Sequence, residues 1–134
     1  MLSTVWTKVK EVATREPVVV APETPLRVAA EMMARDSIGA LVVATGHRTV
    51  GILSERDVVT AIGRGANPDT ATVAGAMSED VVSLRPHDTL YDAAVDMLDL
   101  GIRHVPVFDE RGTVVGMVSV RDLLRPLLTA SLDH

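Results

Sequence analysis

The run Gly51-Ile52-Leu53-Ser54-Glu55-Arg56-Asp57 recurs as Gly116-Met117-Val118-Ser119-Val120-Arg121-Asp122, with glycine, serine, arginine and aspartate in the same places. Self-similarity of this kind constrains architecture before any single residue is read, because each copy must repeat one supersecondary unit. The flanks repeat as well. Leu26, Ala29, Ala30 and Met33 are spaced i, i+3, i+4, i+7, and Leu90, Ala93, Ala94 and Met97 reproduce that stripe 64 positions later. Such spacing predicts one buried helix face per copy. The chain is expected to be a duplicated unit folded against itself, with paired clefts rather than one active site.

Each copy reads strand, helix, strand, strand, helix. Pro17 to Val20 predicts a strand stopped by Ala21-Pro22, and Thr24 offers a helix cap with Pro25 at the first helical position. In the second copy Val81 to Leu84 is the strand, Pro86 the stop and Asp88 the cap. Ile38 to Val43 and Ile102 to Phe108 then lead through turns at Thr45-Gly46-His47-Arg48 and Asp109-Glu110-Arg111-Gly112. Val50 to Leu53 and Val114 to Val118 close the hairpins, each running straight into a helix. Gly63 is expected to end the first of these helices, before a loop through Asp69. Ahead of the first copy, Leu2, Val5, Trp6 and Val9 are spaced like one helix face. That helix either packs on its own domain or sets the only Trp at a subunit or partner contact.

With 134 residues, 47% hydrophobic and only 2% aromatic, the chain can bury one core built of Val, Leu, Ile, Ala and Met. No apolar run approaches the roughly 20 residues of a membrane span, and the first ten residues lack a signal-peptide apolar block. The absence of cysteine excludes disulfides and thiolate metal sites, and a cytoplasmic protein is expected. A net charge of −5 argues against a nucleic-acid or anionic-membrane partner, though a few local arginines can still hold a small phosphate ligand.

Ser54-x-x-Asp57 at a strand-to-helix junction is the pattern of a capping box, which needs no ligand. Other features favour binding. A helix start offers free N–H groups and positive potential to an anion. Gly51 and Gly116 could open space for a flat ligand, and Arg56 and Arg121 put a cation beside each junction. A hydroxyl, N–H groups and an arginine suit a phosphate; a carboxylate suits the hydroxyls of a ribose. Capping and binding are compatible.

The doubled Gly-hydrophobic-hydrophobic-Ser-x-x-Asp motif, the helix stripes and Gly101-Ile102-Arg103-His104-Val105-Pro106-Val107 together resemble a tandem pair of CBS domains, the regulatory module of cystathionine-β-synthase type. The resemblance covers about Val9 to Leu124. It implies an α/β (α+β) fold of two β-α-β-β-α repeats packed sheet to sheet with pseudo-two-fold symmetry. The expected organisation is a helical extension over 1–8, a first repeat over 9–63, a linker over 64–72, a second repeat over 73–125 and a tail over 126–134.

By the same resemblance, clefts between the repeats would bind adenosine-containing ligands: AMP, ADP or ATP foremost, with NAD or S-adenosylmethionine as alternatives. Asp57 and Asp122 would take the ribose hydroxyls, while Ser54, Arg56, Ser119 and Arg121 face phosphates. Ile38, Ala40, Ile102 and Pro106 would flank the adenine, and Arg103 and His104 resemble phosphate-approaching residues. For His104 an ordinary hydrogen-bonded role at a strand edge stands beside that reading. Ser83 occupies the place of Val19, and Arg103-His104 that of Gly39-Ala40, so unequal clefts are expected.

Catalysis finds little support. The histidines at 47, 87, 104 and 134 have no metal-ligand spacing, and neither a Walker-type loop nor a nucleophile elbow occurs. The expectation is a non-catalytic sensor acting through an unidentified protein effector or through a homodimer that uses helices including Leu26 to Met33 and Tyr91 to Leu98. A structural module without ligand is the alternative, and a nucleotide-processing enzyme the remote one.

Overall fold

The computed structural model describes residues 2–13 and 15–132; His134 and the side chain of Leu2 lie outside the described residues. The chain divides into two compact units, Pro17–Val81 and Met1–Glu16 together with Val82–His134.

In the first of these, β1 (Val19–Val20) runs parallel to β2 (Ala40–Thr45), which pairs antiparallel with β3 (Arg48–Ser54). α1 (Leu26–Asp36), α2 (Glu55–Gly63) and the single turn α3 (Val73–Ala76) accompany this sheet. Leu26, Ala29 and Met33 of α1 are buried with Leu41, Val43, Leu53, Val58 and Val73, so the apolar stripe does face the core. In the other unit α4 (Leu90–Leu100) and α5 (Val120–Leu132) accompany the hairpin of β4 (His104–Phe108) and β5 (Val114–Ser119). Its core gathers Val9, Leu84, Leu90, Ala93, Met97, Val105, Val107, Val118 and Leu123.

Each unit is completed by the stretch of chain that precedes the other copy. In the first unit the Leu26 N–H donates to the Ala71 carbonyl at 2.8 Å, the Val73 N–H to Thr24 at 2.8 Å and the Ala74 N–H to Pro22 at 2.9 Å. In the second the Leu90 N–H donates to Thr7 at 2.9 Å, the Val9 N–H to Asp88 at 2.7 Å and the Lys10 N–H to Pro86 at 3.2 Å. The two sets correspond residue for residue at an offset of 64. Val73 and Val9 are fully buried at matching places.

These straps explain where the sequence expectations move. Thr24 does not cap α1: its carbonyl is taken by Val73, Pro25 bridges Thr72, and the helix begins at Leu26 with Pro25 extended at ψ 142° and no side-chain cap. Asp88 does not cap α4 either. Its carboxylate accepts from the Arg85 N–H at 2.8 Å inside the preceding turn, and Thr89 with Asp92 forms the capping box instead. Val81 to Leu84 contributes only an isolated bridge from Leu84 to Val107. Gly63 remains helical, and Gly65 supplies the left-handed turn at φ +97°. The helix expected near the N-terminus is two 3₁₀ turns, Leu2–Trp6 and Val9–Glu11. The first packs on α4 and α5, with the Trp6 ring 5.5 Å from that of Tyr91. Among the described residues no helix is long and apolar enough to cross a membrane.

Candidate functional site

The Ser-x-x-Asp motifs form reciprocal capping boxes in both units. The Ser54 N–H donates to Asp57 Oδ2 at 2.8 Å while the Asp57 N–H donates to Ser54 Oγ at 3.2 Å. In the other unit the Ser119 N–H donates to Asp122 Oδ2 at 2.8 Å and the Asp122 N–H to Ser119 Oγ at 3.3 Å. Each box satisfies donors that a helix start would leave open. It uses only Oδ2 of the carboxylate, and Oδ1 plays no part in it. All four residues are half-buried rather than enclosed. The position is therefore both a stable helix start and a carboxylate held in fixed orientation.

The hairpin register brings further candidates alongside. Ala40 lies directly across the ladder from Ser54, and His104 directly across from Ser119. Glu55 N–H donates to the Gly39 carbonyl and Val120 N–H to Arg103, each at 3.0 Å, tying both helix starts to the heads of the neighbouring strands. Ile38 and Ile102 lie just ahead, their N–H groups donating to Met33 at 3.0 Å and Met97 at 3.2 Å. Arg103 and Arg121 are exposed at this end of their unit, as Arg56 is in its own, and His104 is half-buried.

Two expected members differ in surroundings. Pro106 is buried opposite Met117, and its carbonyl accepts from the Leu84 N–H at 2.9 Å, which makes it part of the sheet interior. Ser83 is exposed beside that bridge, as Val19 is in the other unit.

The space expected beside Gly51 and Gly116 is filled. A Cβ on Gly51 would stand 2.8 Å from the sulfur of Met77 and from the Ser78 carbonyl oxygen; one on Gly116 would stand 2.9 Å from the Ala13 carbonyl oxygen. These glycines admit the crossing straps, not a flat ligand.

One feature escaped the sequence reading. A groove of about 540 Å³ runs along α2, lined by Asp57, Thr60, Ala61 and Arg64, then Gly65, Ala66 and, from α3, Gly75 and Ala76. The i, i+3, i+4, i+7 spacing of its first four residues was the available signal, but α3 opposite them could not be placed from local pattern. In α5 the position equivalent to Ala61 is Pro126, which has no N–H to offer the Asp122 carbonyl. The two helix starts are thus alike in their boxes and unlike one turn further on. No group of His, Asp or Glu able to hold a metal ion occurs among the described residues.

This arrangement, two small α/β units each with a hairpin running into a boxed helix start, belongs to a defined family. The CBS domain family matches residues 9–64 and 73–129, and the chain is a member of it. An uncharacterised 17.7 kDa protein of Acidianus ambivalens is 39% identical over 124 residues, spanning 91% of this chain and 74% of that one. A CBS-domain containing protein from Agrobacterium tumefaciens has a crystal structure that superposes with a TM-score of 0.83 at 31% identity, covering 92% of this chain and 95% of the other. A CBS domain protein from Pyrobaculum aerophilum, solved in complex with AMP, superposes with a TM-score of 0.83 at 26% identity, covering 95% and 99%.

Proposed function

We propose that this protein is a non-catalytic regulatory module that binds an adenosine-containing ligand at its boxed helix starts, with AMP, ADP or ATP as the preferred class. The observation that carries the reading is the doubled box. In each unit the carboxylate is oriented by its own serine through one oxygen, leaving the other oxygen outside the box to accept from ribose hydroxyls. The positive end of the helix and the neighbouring Arg56 or Arg121 suit phosphate. The AMP complex of the Pyrobaculum aerophilum protein supports the same ligand class. NAD and S-adenosylmethionine share the adenosine moiety and are the secondary candidates. The protein would work in the cytoplasm as a homodimer, passing the signal to a protein effector through a change of shape or association.

The test is isothermal titration of nucleotide-free protein against AMP, ADP, ATP, NAD and S-adenosylmethionine. Saturable binding that weakens about tenfold or more in Asp57→Ala or Asp122→Ala supports the reading. Silence across all five ligands overturns it. In that event the second reading stands, a structural interaction module, which the mutual hydrogen bonding of serine and aspartate in both boxes favours.

A further inference from the structure

The groove along α2 carries opposite charges at its two ends. Asp57 stands at one end, with Oδ1 outside the capping box, and Arg64 stands at the other. Thr60 places a hydroxyl between them, while Ala61, Gly75 and Ala76 add no long side chain to the walls. Arg64 follows Asp57 by two turns, about 10 Å along the helix. Its backbone is fixed, since the Arg64 N–H donates to the carbonyls of Thr60 at 3.0 Å and Ala61 at 3.2 Å. Among the described residues its guanidinium is in no ion pair, whereas Arg27 is paired with Asp69 and Arg35 with Asp36.

The second unit does not repeat this arrangement. Its equivalents of Ala61 and Arg64 are Pro126 and Thr129, and the Thr129 hydroxyl donates back to the Arg125 carbonyl at 2.9 Å. The strap residues matching Gly75 and Ala76 are Glu11 and Val12, both larger, and Glu11 brings a negative charge. A groove with a cation two turns beyond the boxed carboxylate therefore belongs to the first unit. Its volume of about 540 Å³ lies within the roughly 300–1,000 Å³ of small-molecule sites.

We infer that Arg64 holds the anionic end of a chain attached to the 5′ carbon of the ribose, a phosphate or a carboxylate, and so makes the first unit selective for ligands longer than AMP. The inference rests on the ribose reading of Asp57 above and deepens it. A phosphate bonded directly to the ribose stays beside the box and Arg56. The second phosphate of ADP, or the carboxylate of S-adenosylmethionine, extends further and gains a charge-assisted hydrogen bond from the guanidinium. The small residues opposite α2 leave such a chain room to lie along the helix.

The experiment is isothermal titration of the full chain with adenosine, AMP, ADP and S-adenosylmethionine, first as it stands and then with Asp122→Ala, so that the first unit reports. Arg64→Ala, Arg64→Lys and Gly75→Leu are then added to the Asp122→Ala chain, and circular dichroism checks that each variant is folded. A Cβ on Gly75 would meet nothing nearer than Thr72 Oγ1 at 3.9 Å, so the larger side chain enters the groove without a clash at its root. Arg64→Ala is expected to weaken ADP, S-adenosylmethionine or both about tenfold, and to leave adenosine and AMP within about twofold. Arg64→Lys should keep most of the long ligands' affinity, and Gly75→Leu should lose it. A loss with ADP alone assigns the held anion as phosphate, and a loss with S-adenosylmethionine alone assigns it as carboxylate. Equal losses for all four ligands, no loss for the two long ones, or ligands bound by the parent and by none of the Asp122→Ala chains overturn the role of Arg64 while leaving the ligand-binding reading intact. A parent chain that binds none of the four overturns both.

Discussion

Gly51 lies so close to Ser78 that a Cβ added to the glycine would meet the serine carbonyl oxygen at 2.8 Å. The approach is held by a reciprocal pair of hydrogen bonds one residue along, Ile52 N–H to Ser78 at 3.0 Å and Ser78 N–H to Ile52 at 2.9 Å. The obstacle is backbone, which cannot swing aside as a long side chain does. Gly51→Val is expected to destabilise the protein by about 3 kcal/mol, with Gly116→Val comparable because the Ala13 carbonyl stands in the same relation to it. Urea denaturation of the two variants checks this; losses below about 0.5 kcal/mol would mean the straps yield easily.

Val9 and Val73 are both fully exposure-free, each on a strap and each facing a different core. Val9→Ala and Val73→Ala should therefore cost similar amounts, about 2 kcal/mol apiece. A loss confined to Val73→Ala would show that the N-terminal strap contributes nothing to its unit.

The box separates two roles that a single alanine variant would merge. Ser54→Ala removes the acceptor for the Asp57 N–H and should cost about 1 kcal/mol of stability. Asp57→Asn keeps an oxygen able to accept from the Ser54 N–H, so its effect on stability should be the smaller one. If the carboxylate takes ribose hydroxyls, Asp57→Asn should lower ligand affinity in the first unit more than it lowers stability. Paired melting and titration curves for both variants distinguish these outcomes.

Asp96 is pushed above the ordinary carboxylate range by partial burial first, then by the charges of Asp92, Asp99 and Asp88. A raised folded-state value means that the folded protein holds this proton more tightly than the unfolded chain. The group therefore costs stability once the pH exceeds its folded value, and the cost fades as the pH falls through that value towards 3.8, the unperturbed value. Asp96→Asn should stabilise the monomeric unit at neutral pH by about 0.5 kcal/mol and lose that advantage in acid. Melting temperatures across the acid range give the comparison; an advantage that persists unchanged in acid would contradict the electrostatic origin.

Much of this was readable from local pattern. The stripes Leu26-Ala29-Met33 and Leu90-Ala93-Met97 are buried, because helical spacing alone decides which face a short helix presents to its core. Ser54 with Asp57 and Ser119 with Asp122 form their boxes because capping depends on residues only three apart. What escaped reading depends on partners distant in sequence. Thr24 and Asp88 have capping chemistry, but the pairing of the strap with Thr24 and the turn at Arg85 claim their groups first. The role of the glycines depends on a distant partner as well, since nothing near Gly116 in sequence announces Ala13. Of the candidate site, the boxes and the strand heads opposite them were legible, while the groove along α2 needed α3 in place.

The crossed straps also set an order of events during synthesis. Everything the Pro17–Val81 unit contains is made in one uninterrupted stretch, so it can close as soon as that stretch clears the ribosome. The first sixteen residues are translated before it yet belong to the unit finished last. At typical elongation rates the gap between the end of one unit and the end of the other is several seconds. For that interval Val9 has no core to enter. The stretch that carries Val9 is made before the Pro17–Val81 unit and finds its place after it.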